Sequence, residues 1–306
     1  MAENKEFSFT VEEEYDSVRA DVFLSAIMED VSRSRISRLI SEGAVLLNGE
    51  PLKKSSIKVS EEDRITVFLP PDRVPDILPE DIPLEILYED NDVIVVNKPR
   101  GMVVHPSNGH FNGTLVNALL FHCADLSGIN GVFRPGIVHR IDMLTTGSVI
   151  ACKNDRAHRS IAAALKEHSI KRLYRAIVHG NLKEDGTVDK PIGRSKNDRK
   201  KMGVDPSGKR AVTHYRVLES FGDYTYVECA LETGRTHQIR VHMASIGHPV
   251  LGDELYGNKK SRFKTEGQLL HAYILGFTQP VTGEYIEIIA PFPEDFTRIL
   301  EILRNK

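Results

Sequence analysis

The sequence predicts an α+β chain in two parts: a small N-terminal module of two helices followed by strands, and a larger domain built on a mixed, largely antiparallel sheet flanked by helices. Three observations point there. Apolar residues recur at helical spacing over 18–40 and then gather in short β-rich runs up to residue 69. Five prolines crowd residues 70–83, a density that disfavours both helix and central strand. Beyond them strand patterns outnumber helical ones, with no sustained strand–helix–strand rhythm and no internal repeat. A length of 306 residues suggests about two domains, and 41% hydrophobic content supports at least one large core.

Taken in order, residues 18–29 place Val22, Phe23, Ala26 and Ile27 at helical spacing, and a second short helix carries Ile36, Leu39 and Ile40 on one face before Gly43 stops it. A strand at 45–47 runs into Asn48-Gly49, the pair favoured in tight hairpin turns, and 57–59 and 64–69 read as further strands. These define a module over 15–70, a proline-rich acidic linker over 71–84 and a second domain over 85–306. In the second domain strands are expected at 93–96, 148–151, 173–178, 211–218, 225–231 and 285–289. Helices are expected at 114–121, 155–167, 236–246 and 293–303, with Thr114 and Asp155 as N-caps.

The net charge of −3 conceals a strong segregation. Residues 32–58 hold Arg33, Arg35, Arg38, Lys53, Lys54 and Lys58 against Glu42 and Glu50, and 190–210 hold eight Lys or Arg against Asp198 and Asp205, while acids gather at 3–30 and 72–92. Phosphate contacts need local rather than global positive charge, so this segregation is what an RNA-facing surface with an anionic back would require, with a solvated charged surface as the alternative for either cluster alone. Cys123, Cys152 and Cys229 are odd in number and far apart, which argues against a disulfide framework or a paired-cysteine zinc site and for buried thiols. The start, Met1-Ala2-Glu3-Asn4-Lys5-Glu6, lacks a basic region followed by an apolar core, and no apolar run approaches membrane-spanning length. A cytoplasmic protein without a membrane partner is expected.

The most informative stretch is His139-Arg140-Ile141-Asp142-Met143-Leu144-Thr145-Thr146-Gly147, which sets a carboxylate close behind an arginine in a loop between the apolar runs 136–138 and 148–151. A second stretch, Leu231 to Arg240, offers a cation that could pair with it, and a third is Lys171-Arg172-Leu173-Tyr174-Arg175-Ala176. Together they resemble the signature of the RluA/RluD-type pseudouridine synthases. That family usually carries His-Arg-Leu-Asp, two mostly charged residues, then Thr-Ser-Gly. This chain has Ile141 for leucine, Met143-Leu144 for the charged pair and Thr146 for serine. Further matches at Asn97-Lys98-Pro99 with Gly101, at His105-Pro106 and at Leu270-His271-Ala272 extend the resemblance from about residue 85 to the C-terminus. The 15–70 module resembles the α-L RNA-binding domain known from a small-subunit ribosomal protein.

The resemblance implies conversion of uridine to pseudouridine, in which the bond from base nitrogen to anomeric carbon breaks, the base turns and carbon-5 is joined to the sugar. No atom is gained or lost, so no redox cofactor, nucleotide or metal is expected. Asp142 would be the catalytic carboxylate, either attacking the anomeric carbon or removing a proton from the neighbouring sugar carbon. Arg235 matches the arginine that pairs with it, keeping it charged and oriented. Tyr174 matches the active-site tyrosine; a phenol with pKa about 10 is a weak base, so stacking on the uracil is favoured over proton removal. The target must be flipped out of folded RNA. Arg140 matches the position that fills the gap, and His139 either steadies the loop or touches RNA. Arg33, Arg35, Arg38, Lys53 and Lys54 would grip phosphates. Structured RNA of the large ribosomal subunit is the expected partner and a monomer the expected state. Transfer RNA is the alternative substrate, and a non-catalytic ribosome-assembly factor the alternative class. A metal-dependent hydrolase using His139, Asp142, His237 and His242 is disfavoured because His237 and His242 are five apart and diverge on a helix.

Overall fold

The computed structural model describes residues 5–28, 31–70, 77–107, 109–131, 134–195, 198, 201–257 and 262–305. Pro71, Pro75, Lys196, Arg199, Lys200, Glu29 and the start of the chain lie outside them. The chain divides into two compact units, Met1–Pro75 and Asp76–Lys306.

The first unit runs β1 (Lys5–Thr10), a 3-10 turn (Glu13–Tyr15), α1 (Ala20–Ile27), α2 (Arg33–Ser41), β2 (Val45–Leu47), β3 (Glu50–Pro51) and β4 (Arg64–Leu69). Its strands form an antiparallel sheet in the order β1-β4-β2-β3. Phe23 and Leu24 of α1 and Ile36, Leu39 and Ile40 of α2 bury against Val45, Ile65 and Val67, the core the helical spacing required. Asn48 and Gly49 both have positive φ (51° and 86°), the conformation of the hairpin turn that joins β2 to β3. One expectation fails, and one strand was not expected. Residues 57–59 form no strand and contribute only an isolated bridge between Lys58 and Arg19. β1 was not legible, because its mostly exposed residues lie on an edge and its order comes from pairing with β4.

The second unit contains β5 (Ile86–Glu89), β6 (Val93–Lys98), α3 (Leu115–His122), β7 (Thr146–Cys152), α4 (Asp155–Lys166), β8 (Lys171–His179), β9 (Gly186–Asp189), β10 (Ile192–Arg194), β11 (Met202–Val204), β12 (Val212–Ser220), β13 (Tyr224–Leu231), α5 (Gln238–Ser245), β14 (Leu270–Thr278), β15 (Tyr285–Ile289) and α6 (Glu294–Arg304). The main sheet runs β5-β6-β7-β14-β8-β13-β12-β9, with β15 added to β14 and β10-β11 as a separate ribbon. It is antiparallel except where β7 meets β14. Alternating residues feed its two faces: Ile94, Val96, Ala176 and Val178 pack with α3 and α5, while Val93, Val95 and Ile150 pack with α4 and Ile177 packs with α6.

The stretch 77–84, expected to be linker, belongs to this unit. Ile77, Ile82 and Leu84 pack on its core, the Glu80 N–H donates to the Asn117 carbonyl, and Asn117 Nδ2 donates to the Leu78 carbonyl at 2.8 Å. Prolines exclude regular structure here, yet extended chain can still bury every other apolar group. Asn154 rather than Asp155 caps α4, accepting from the Ala157 N–H, while Asp155 takes the Ser127 hydroxyl. The cysteines are buried and free. No helix among the described residues is long and apolar enough to cross a membrane.

Candidate active site

Gly147 fixes where the His139–Gly147 stretch sits. Its φ is +111°, and a Cβ there would lie 2.3 Å from the Ala272 carbonyl oxygen, so only glycine lets β14 lie alongside β7. Around this crossing Ser148 Oγ donates to the Ala272 carbonyl at 3.0 Å, and Thr146 Oγ1 meets His271 Nδ1 at 2.7 Å. His271 Nε2 faces the Ala290 carbonyl, which can only accept; Nε2 therefore carries the proton and Nδ1 accepts from Thr146. Burial pulls the His271 pKa down to about 4, in keeping with a neutral ring. The Leu270-His271-Ala272 match is thus part of the framework beneath the loop.

Asp142 stands at a turn closed by the Thr145 N–H on its own carbonyl. The next carbonyls are held from below. Lys98, fully buried, donates to Pro99 O (2.8 Å), Met102 O (2.9 Å) and Met143 O (3.1 Å), and Gly101 N–H adds a second bond to Met143 O. Arg100 donates to Leu144 O and Gln268 O, both at 2.9 Å, and is anchored by Asp295. Burial pushes the Lys98 pKa down to about 7 while the Asp142 charge works the other way. Three acceptors for three N–H groups is the complement of an ammonium, and that geometry holds the proton. The 97–101 motif therefore supports the loop that presents Asp142.

The carboxylate faces a cavity of about 640 Å³ lined by the 137–142 loop, β8 and the 231–240 segment. Here one expectation is corrected: the guanidinium on Asp142 belongs to Arg240, whose Nη1 lies 2.8 Å from Asp142 Oδ2. Arg235 is exposed, its Nε donating to the Arg210 carbonyl at 3.0 Å. Arg235 precedes α5 and stays at the cavity wall, whereas Arg240 lies in the buried first turn of α5 and points at the loop. The other edge of Arg240 is taken by Asp253, at 2.7 and 2.9 Å, and the Tyr256 ring lies 5.2 Å away. Burial works against the charge on Arg240, but Asp253 and Asp142 outweigh it and raise the pKa. Ile239 and Val241 flank Arg240 in sequence, but adjacent residues on a helix point to different faces, so they did not mark it as buried. Asp253, Lys98 and Arg100 likewise gave no local signal of their roles.

Tyr174 on β8 is 7% exposed and lines the same cavity. Burial raises its pKa, Arg172 lowers it and Asp142 raises it, with a net upward shift. A phenol so placed is a poorer base than a free one, which favours the ring's surface over its proton chemistry. His139 Nε2 accepts from the Ile150 N–H at 3.1 Å, and burial brings its pKa down to about 3, so the neutral ring ties the loop to β7. Arg140 is exposed on the cavity wall. His237 Nε2 lies 3.9 Å from Asp142 and its Nδ1 meets the Tyr256 hydroxyl. His242 turns away, with both nitrogens engaged by Thr213 and the Lys190 carbonyl. The four groups of the hydrolase reading are not brought together.

On the first unit, Arg33 is exposed but shares the buried Asp21 with Arg19, at 2.9 Å each. Burial raises the Asp21 pKa, and the two arginines more than reverse this. Arg35 is half-buried, with Nη2 3.3 Å from the Pro70 carbonyl, while Arg38 is 67% exposed and within 3.6 Å of Glu42. Lys53 and Lys54 are exposed. Arg35 and Arg38 are therefore not equivalent, although three residues apart on one helix.

The second unit matches the RNA pseudouridylate synthase family over residues 92–245, and the first matches the S4 domain over residues 18–65. An uncharacterised RNA pseudouridine synthase of Bacillus subtilis is 52% identical over 301 residues, covering 98% of this chain and 99% of the relative. The ribosomal large subunit pseudouridine synthase D of Zymomonas mobilis is 46% identical over 305 residues, covering 96% of each. Among solved structures, human RNA pseudouridylate synthase domain containing 1 superposes with a TM-score of 0.57 at 26% identity, covering 74% of this chain and 97% of that one.

Proposed function

Because the chain belongs to the RNA pseudouridylate synthase family and carries an S4 domain, we propose that it isomerises particular uridines of large-subunit ribosomal RNA, with Asp142 acting on the flipped nucleotide. That it is an isomerase of the pseudouridine synthase kind follows from the family. The ribosomal target rests on relatives named for the large subunit, at 42–46% identity over nearly the whole chain.

One observation carries the assignment of Asp142: its carboxylate faces the cavity that Tyr174 lines and is held at 2.8 Å by a guanidinium fixed from behind. Attack on the anomeric carbon and removal of the neighbouring sugar proton both require a carboxylate aimed at the sugar, and Arg240 sets that aim. The Tyr174 ring offers a face to the detached base. Arg140 fills the space the flipped nucleotide leaves, and the exposed cations of the first unit hold flanking phosphates. The enzyme works in the cytoplasm as a monomer, with neither nucleotide nor metal. Tyr174 and the Asp142–Arg240 pair in one cavity favour this reading over a non-catalytic assembly factor.

Asp142→Asn keeps the side-chain shape and removes the charge. It is expected to abolish pseudouridine formation on ribosomal RNA fragments while affinity and melting temperature stay near wild type. Wild-type turnover by pure Asp142→Asn protein would sink the assignment. Mapping pseudouridine in cells with and without the gene identifies the target, and loss confined to transfer RNA would displace the ribosomal reading.

A further inference from the structure

Arg172 has no task in the reaction as described so far. It lies two residues before Tyr174 on β8, hence on the same face of the strand, and both line the cavity. Arg175, on the opposite face, shares with Arg172 a buried Nε that has no acceptor, but it pairs with Glu228 through Nη2 at 2.8 Å and lies over the Tyr273 ring at 5.0 Å. Arg172 has neither an ion pair nor a hydrogen-bond acceptor among the described residues, and its Nε is buried. Of the five other arginines at the cavity, three are committed, Arg240 to Asp142 and Asp253, Arg235 to the Arg210 carbonyl and Arg210 to Glu232, while Arg134 and Arg140 are exposed and open to water. Opposite Arg172 the chain is glycine, and a Cβ on Gly234 would come within 3.2 Å of Arg172 Nη1. The guanidinium therefore lies close against backbone.

A buried N–H without an acceptor is costly, and a cavity-lining one is satisfied when a ligand supplies the oxygen. The occupant on the reading above is a flipped uridine. With its base on Tyr174, a fork roughly 7 Å along the same strand face reaches the nucleotide's backbone rather than the base edge. The Nε and Nη hydrogens of a planar guanidinium match two oxygens of one phosphodiester. We propose that Arg172 is the phosphate site of the target nucleotide, its Nε and one Nη donating to the non-bridging oxygens of a phosphodiester attached to the flipped uridine. This rests on the proposed function.

The test uses a stem-loop that the wild-type enzyme modifies, so that the enzyme reading is checked first and separately. Methylphosphonates neutralise, one at a time, the phosphates on either side of the target and a remote phosphate. For wild type, one of the two adjacent replacements should weaken affinity by about tenfold or more, and Arg172→Gln should weaken binding of normal RNA by a similar factor. Combined, the two changes should cost no more than either alone, and the salt slope of Arg172→Gln should be smaller by about 0.7–0.9. Arg172→Lys should recover part of the affinity. Losses that multiply, or an Arg172→Gln protein that binds like wild type, would overturn the proposal. An unchanged melting temperature excludes misfolding, as a side chain with no ion pair or hydrogen bond among the described residues leads one to expect.

Discussion

Asp142 and Asp253 share one guanidinium, and that sharing distinguishes the two arginines of the 231–240 segment. Arg240 presents Nε and Nη2 to Asp253 and keeps Nη1 for Asp142, so its direction is fixed before any substrate arrives. A lysine has one nitrogen and cannot hold both carboxylates in these directions. Arg240→Lys is therefore expected to lower the turnover rate by about a hundredfold or more, the scale set by small displacements of a reacting group. Arg235→Lys, whose side chain bonds a surface carbonyl, should remain within a few-fold. Single-turnover rates at saturating RNA check both, and the reverse order would restore Arg235 as the partner. The sequence made Asp142 and Tyr174 legible through their motifs, but two arginines five residues apart offered no local ground for choosing. The choice depends on where α5 begins, which the buried Gln238 helps to set by receiving the Thr233 hydroxyl and the Arg235 N–H and donating to Val212 and Thr213.

Among the elements, β14 decides most and was the least visible. Its residues, Leu270–Thr278, are nearly all buried and make pairs with β7, β8 and β15, so they show no alternation of apolar and polar groups. Helices α4 and α6, by contrast, bury one stripe and read clearly, and α3, α4 and α6 all fall within a residue of expectation at each end. Gly147 is the point where β14 presses on the active-site loop. Gly147→Ala would drive a Cβ into the Ala272 backbone and force a residue with φ of +111°. The expected loss is about 2 kcal/mol or more of stability, from overpacking and backbone strain together. Turnover should fall even where the protein still folds, because the strand that shifts is the one beneath Thr146 and the loop. Denaturant midpoints and rates on the same preparation test this, and wild-type values for both would show that the sheet accommodates the methyl group.

At the scale of the molecule, the two units call for a cut between them rather than through residue 84. A chain beginning at residue 76 keeps Ile77, Ile82 and Leu84 on the core and the hydrogen bonds that tie Glu80 and Leu78 to Asn117. It should fold, isomerise uridine in a minimal stem-loop at saturating concentration, and bind natural RNA with a shallower salt dependence, by about 0.7–0.9 for each phosphate no longer neutralised. A chain beginning at residue 85 should melt at lower temperature. Parallel salt dependences for the full and shortened chains would remove the first unit's cations from RNA binding. The sequence by itself determined the α+β class, the helices, the hairpin turn at Asn48-Gly49 and the loop that carries Asp142, because each is written in local spacing, turn chemistry or a contiguous motif. Tertiary structure alone decided that Arg240 rather than Arg235 meets Asp142, that 77–84 is part of a core, and that β14 lies beside β7. Those outcomes depend on which buried groups find partners far along the chain, and no window of neighbouring residues contains that information.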